Sequence, residues 1–74
     1  MPLIDSKMRN SEFLKGVKII ASKMPEERKD KFDLHAEHDQ IWFGDAEWIT
    51  DPLDIKTLEE LGWFIDEDSW SCFP

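Results

Sequence analysis

At Phe32 the apolar period of this chain changes from 3.6 residues to 2, and that change fixes the kind of fold available to it. Before it, Phe13, Leu14, Val17, Ile20, Ala21 and Met24 share one helical face, with Lys15, Lys18 and Lys23 on the remaining surface. Asn10 or Ser11 is suited to cap this helix, and Glu12 favours its positive N-terminal end. Gly16 costs helix propensity without breaking the element. Pro25 stops it, because the residue before a proline is pushed out of helical geometry. Glu26 and Glu27 then open a further short turn.

After the change, Phe32, Leu34 and Ala36 alternate with Asp33, His35 and Glu37, and Ile41 and Phe43 alternate with Gln40 and Trp42. A turn at His38 and Asp39 sets Ala36 opposite Ile41 and Leu34 opposite Phe43 on one face. His35 and Trp42 then meet on the other face, and Gly44 and Asp45 end the hairpin. A second helix is punctuated by Asp51 as N-cap, Pro52 at the first helical position and Gly62 at the end. Leu53, Ile55, Leu58 and Leu61 are its apolar stripe. Trp63 to Ile65 and Trp70 to Phe73 form a second hairpin around a polar turn, pairing Ile65 with Trp70 and Trp63 with Cys72. The expected architecture is α+β, two helices on a small antiparallel sheet in the order α-β-β-α-β-β. Residues 1–10 show no period and are expected as a flexible N-terminal arm, leaving 11–74 as the single domain.

Seventy-four residues bury little surface, so large side chains must supply the core, and four Trp and five Phe are present to do so. Charge divides near the change of period. Residues 1–31 hold eight basic and five acidic side chains and residues 32–74 one and twelve, so a segment of +3 precedes one of −11. The net charge of −8 argues against direct binding to nucleic acid or to anionic membrane. No apolar run approaches the roughly 18 residues that span a bilayer, no signal-peptide core is present, and the single Cys72 cannot form an internal disulfide. A soluble cytoplasmic domain is the expectation.

Few residues offer chemistry. His35, Glu37, His38 and Asp39 are the densest group of potential metal ligands, but strand alternation separates them, and a polar turn with an imidazole on Trp42 explains them. A metal-dependent enzyme using His35 and His38 is the weakest of three functional readings. Asp66, Glu67, Asp68 and Ser69 begin like a calcium loop, yet Trp70 and Ser71 stand where a ligand and a glycine are required. Cys72 lies among acidic and aromatic neighbours, which suits burial and not a reactive thiolate. No catalytic residue, metal or cofactor is assigned, and a non-enzymatic role is expected. The aromatic and acidic residues fit an interaction surface better, since exposed Trp is enriched at binding hot spots. Trp42 and Trp48, with Asp39, Asp45, Glu47, Asp66, Glu67 and Asp68, are the candidate partner-binding residues.

The strings Ala36-Glu37-His38-Asp39-Gln40-Ile41-Trp42 and Leu58-Glu59-Glu60-Leu61-Gly62-Trp63, followed by Trp70 and Phe73, resemble short acidic uncharacterised proteins of tailed phages and prophages. The resemblance covers about Leu34 to Phe73 and carries no assigned activity. It implies a bacterial host cytoplasm, where small acidic phage proteins often bind and divert host proteins, including defence nucleases. The leading expectation is therefore a phage-type protein that binds a basic surface of a host or phage protein, its sharpest form being a DNA mimic. The alternative is a structural or assembly protein, acting as a homo-oligomer or as an accessory of a phage complex.

Overall fold

The computed structural model describes residues 8–74. Two helices, α1 (Asn10–Ser22) and α2 (Pro52–Leu61), accompany four strands: β1 (Leu34–Glu37), β2 (Gln40–Asp45), β3 (Phe64–Asp66) and β4 (Ser69–Cys72). The class is α+β, in the order α-β-β-α-β-β, and short 3₁₀ turns at Glu26–Arg28 and Ala46–Trp48 complete it. The four strands make one antiparallel sheet in the order β1-β2-β4-β3. The two hairpins therefore join through β2 and β4, and β1 and β3 are the edges.

Both hairpins have the expected register. Leu34 pairs with Phe43, His35 with Trp42, Ala36 with Ile41 and Ile65 with Trp70. Their two-residue turns use positive φ at His38 (56°) in the first, and at Glu67 (53°) and Asp68 (63°) in the second. Two consecutive positive φ values are the pattern of a type I′ turn, whose twist matches that of the strands. Gly44 continues β2 instead of ending it. The β2–β4 pairing slips between Trp42 and Asp45, and Gly44 takes φ 82° there, a bulge that sets Phe43 and Gly44 against one residue of β4.

Three boundaries differ from expectation. Asn10 lies inside α1 and not before it, because Arg9 is the N-cap and its N–H donates to Glu12 Oε1 (2.9 Å). Of the arm expected over 1–10, residues 1–7 lie outside the described residues, while Met8 packs on the core and Asn10 begins α1. Trp63 stays out of the β3 ladder because its N–H donates to Leu58 O (2.9 Å), closing α2 beyond Gly62 at φ 106°. β4 ends at Cys72, so Phe73 follows the ladder.

The core brings together Ile20 of α1, Leu58 of α2, Ile49, Trp63, and Trp70 and Cys72 of β4. Phe13, Val17, Ile41, Phe43, Trp48 and Ile55 pack around it. Gly16 is buried on α1, and the indole of Trp63 occupies the space a Cβ would need there. The stripes are not wholly buried. Leu14 and Leu53 are exposed, and every residue of β1 is exposed, because α1 packs over β2 and the helical cover stops short of the edge strand.

Candidate functional site

The sheet has one face toward the helices and one without helical cover. Strand parity places His35, Glu37, Gln40, Trp42, Phe64, Asp66, Ser69 and Ser71 on the uncovered face. Ser71 is nevertheless fully buried. Side chains of β2 lie across β4 to reach β3: Trp42 Nε1 donates to Asp66 Oδ2 (3.1 Å), and Gln40 Nε2 donates to the same oxygen (3.0 Å) and to Ser71 Oγ (2.8 Å). Ser71 Oγ in turn donates to Ile41 O (2.9 Å). A small serine at the crossing leaves room for these longer side chains, so two hydroxymethyl groups on β4 act as the floor of a polar network. Ser69 Oγ donates to Gly44 O (2.7 Å), tying the bulge to β4.

His35 completes the arrangement from the edge. Its ring centroid lies 5.2 Å from that of Trp42 with the planes tilted by 44°, a cross-strand aromatic contact. His35 Nε2 also meets Glu37 Oε1 (3.3 Å), and His38 Nε2 lies 3.8 Å from Glu37 Oε2. Both imidazoles thus approach one glutamate from its two oxygens. Among the described residues no three His, Cys, Asp or Glu side chains are grouped to hold a metal ion.

An open hollow of about 340 Å³ lies beside the Trp42 indole, lined by Asp33, His35, Glu37, Trp42, Glu67 and Ser69 among others. Three carboxylates and an indole therefore border one recess. Asp33 is engaged by Arg28, whose Nε and Nη2 donate to its two oxygens at 2.9 and 2.7 Å. This two-pronged bond holds the Arg28 guanidinium above its ordinary pKa and pins the segment entering β1. Glu67 stands at the exposed tip of the β3–β4 turn.

The sequence-derived candidates separate into three groups. Asp45, Glu47, Asp66, Glu67 and Asp68 gather at one end of the sheet, where Asp45 pairs with Ser69 and Ala46 N–H donates to Asp68 O (2.9 Å). Asp45 is also committed to capping the turn at Ala46–Trp48, accepting from Glu47 N–H (2.8 Å). Asp39 stands apart, in the β1–β2 turn at the opposite end of β2. Trp48 packs against the core, with its ring over Gly44. Trp42 faces outward as its register requires, but it lies down on the sheet and is partly buried. Sequence reasoning missed Gln40 and Ser71. The signal was the run of serines at alternate positions of β4, Ser69 and Ser71, leaving one face of that strand without bulk.

Cys72 is free and fully buried, and burial pushes its thiol up to about 11, against 9.0 for an ordinary cysteine. A thiol so placed packs as a small apolar group. Among the described residues no helix is long and apolar enough to cross a membrane. No family model matches the chain, and neither a curated protein nor a solved structure is significantly similar to it.

Proposed function

We propose that this chain is a non-enzymatic interaction protein whose uncovered sheet face binds a basic surface of another protein. The observation that carries the reading is the recess at Trp42, where an indole lies beside Glu37 and Glu67 on a face that no helix covers. A lysine or arginine side chain entering it would lie against the aromatic surface while its charge meets carboxylates, the two terms that favour a cation most. The indole is held in place by Asp66 before any partner arrives, so little ordering cost is left for binding.

The carboxylates gathered around the β3–β4 turn extend this surface beyond the recess. Glu67 and Asp68 hold positive φ, where Asn-Gly would be the relaxed choice. Two acids at positions of positive φ, where smaller residues would be relaxed, support a role for their charge. The resemblance to phage proteins supplies the context: a bacterial cytoplasm, with a host or phage protein as partner. A defence nuclease or another DNA-binding protein fits the basic surface required, and in the DNA-mimic form the carboxylates take the place of phosphates.

The test is capture from bacterial lysate on the immobilised chain at low and moderate salt, alongside a Glu67→Gln/Asp68→Asn variant. A basic protein retained by the chain, released by salt and lost with the variant, is the expected result. Equal capture by chain and variant would remove the acidic turn from the interface. Capture of no basic protein at low salt would count against the reading as a whole.

A further inference from the structure

The edge strand β1 borders the acidic recess and also has a free main-chain edge, and we propose that this edge pairs with β1 of a second copy of this chain to form a two-fold dimer with a continuous sheet. Antiparallel ladders use alternate residues. Gly44 N–H donates to Asp33 O (3.0 Å), and Glu37 pairs with Gln40 beside the turn, so Asp33, His35 and Glu37 address β2. The N–H and C=O groups of Leu34 and Ala36 consequently point away from the sheet. An open edge is commonly blunted by lysine, proline or a bulge. Leu34–Glu37 contains none of these, its four-residue length and Glu37 being its only protection.

The side of β1 facing the helices is also uncovered. Leu34 is 65% exposed, and Phe32 just before the strand is 96% exposed. Next to them a groove of about 160 Å³ is lined by Phe13, Val17, Leu34, Ile41 and Phe43 alone. An occupant must therefore bring main-chain partners for Leu34 and Ala36 together with apolar groups on the helix side. A second β1 brings both.

Parity and main-chain pairing select the register. Strands related by a two-fold axis keep their apolar faces together only when the axis passes through a residue. With the axis at His35, Leu34 of each copy exchanges main-chain bonds with Ala36 of the other, the imidazoles oppose each other, and Asp33, already bound by Arg28, opposes Glu37 of the partner. With the axis at Ala36, Leu34 opposes His38 in the turn of the other copy and Asp33 opposes Asp39, so bonds are exchanged at Ala36 alone. Main-chain pairing therefore favours His35.

Sedimentation equilibrium of the whole chain, from micromolar to near-millimolar concentration, tests this. The expected mass rises from 8.8 kDa toward twice that value. Because each copy carries −8, added salt should strengthen the dimer, the reverse of its effect on an acidic face bound to a basic partner. Ala36→Pro removes an N–H that β2 does not use, and Leu34→Lys places charge on the apolar side. Each should weaken association at least tenfold with the far-ultraviolet circular dichroism unchanged, whereas Glu67→Gln should associate like the parent chain. A monomer at every concentration, or undiminished association in both edge variants, would overturn the dimer while leaving the acidic recess untested by that result and still open to the capture experiment.

Discussion

The indole of Trp63 lies directly against the backbone of α1 at Gly16, in the space that any side chain there would fill. Phe13, one turn earlier on the same helix, stacks on that indole with centroids 5.9 Å apart. The helix thus rests on a buried tryptophan through its one residue without a Cβ.

Gly16→Ala should therefore destabilise the protein even though alanine is the better helix former. Propensity would favour alanine by about 1 kcal/mol. Forcing a methyl group into a filled core costs typically about 1–3 kcal/mol, and displacing a large rigid indole belongs at the upper end. Urea unfolding should show a net loss of about 1–2 kcal/mol. A gain in stability would mean that Trp63 does not occupy this site.

The β3–β4 turn offers the opposite change. Non-glycine residues in left-handed geometry cost roughly 1–2 kcal/mol each, with Asn and Asp the least penalised. Replacing Glu67-Asp68 by Asn-Gly should raise stability by about 1 kcal/mol, read as a higher melting temperature. The same variant should bind a basic partner less well, since it removes two carboxylates. No change in melting temperature would show that the turn is relaxed with its native residues.

Asp66 and its neighbours in the acidic turn should behave differently from one another. Asp66→Ala leaves Trp42 Nε1 without its acceptor and Gln40 with one bond fewer, at a cost of about 1–3 kcal/mol. It should also alter the near-ultraviolet dichroism of the indole. Glu67→Gln should do neither. A double-mutant cycle between Trp42→Phe and Asp66→Ala should give a coupling of at least about 0.5 kcal/mol, and zero coupling would refute the bond.

Burial of Cys72 gives stability a dependence on alkaline pH. Its thiol holds a proton more tightly when folded, with a pKa of about 11 against an ordinary 9.0. Its contribution is therefore complete below pH about 9 and is lost as pH rises from there through about 11. Urea unfolding at pH values across that window should show a fall in stability that Cys72→Ala lacks; the chain has no tyrosine to titrate alongside it. Alkylation at neutral pH should require unfolding.

Local features of the sequence carried much of this fold. Alternation around a two-residue turn determined that Leu34 meets Phe43 and His35 meets Trp42, because a slip of one residue would turn every apolar side chain to the wrong face. Asp51, Pro52 and Gly62 bounded α2 through hydrogen bonds and dihedrals that their own chemistry favours. Relationships between distant elements were illegible. Gly16 looked like a weakness in a helix, since its value depends on an indole 47 positions later in the chain. Trp48 was placed in a loop by its neighbours, but packs over Gly44, whose bulge arises only when β2 meets β4. Asp66 read as part of a solvated turn and proved to be an anchor, because its bonding partners lie two strands away. The exposure of β1 was equally hidden, since alternation shows that one face is apolar and not whether a helix reaches far enough to cover it.

The most direct test of the acidic recess is a two-dimensional amide NMR titration of the chain with a short arginine-rich peptide, held at a protein concentration where only monomer is present. Saturable shifts at the Trp42 indole N–H, His35, Glu67 and Ser69, weakened by salt and by Glu67→Gln, are the predicted result. Shifts absent from these residues, or equally strong in the Glu67→Gln variant, would contradict the proposal that this face receives a basic partner.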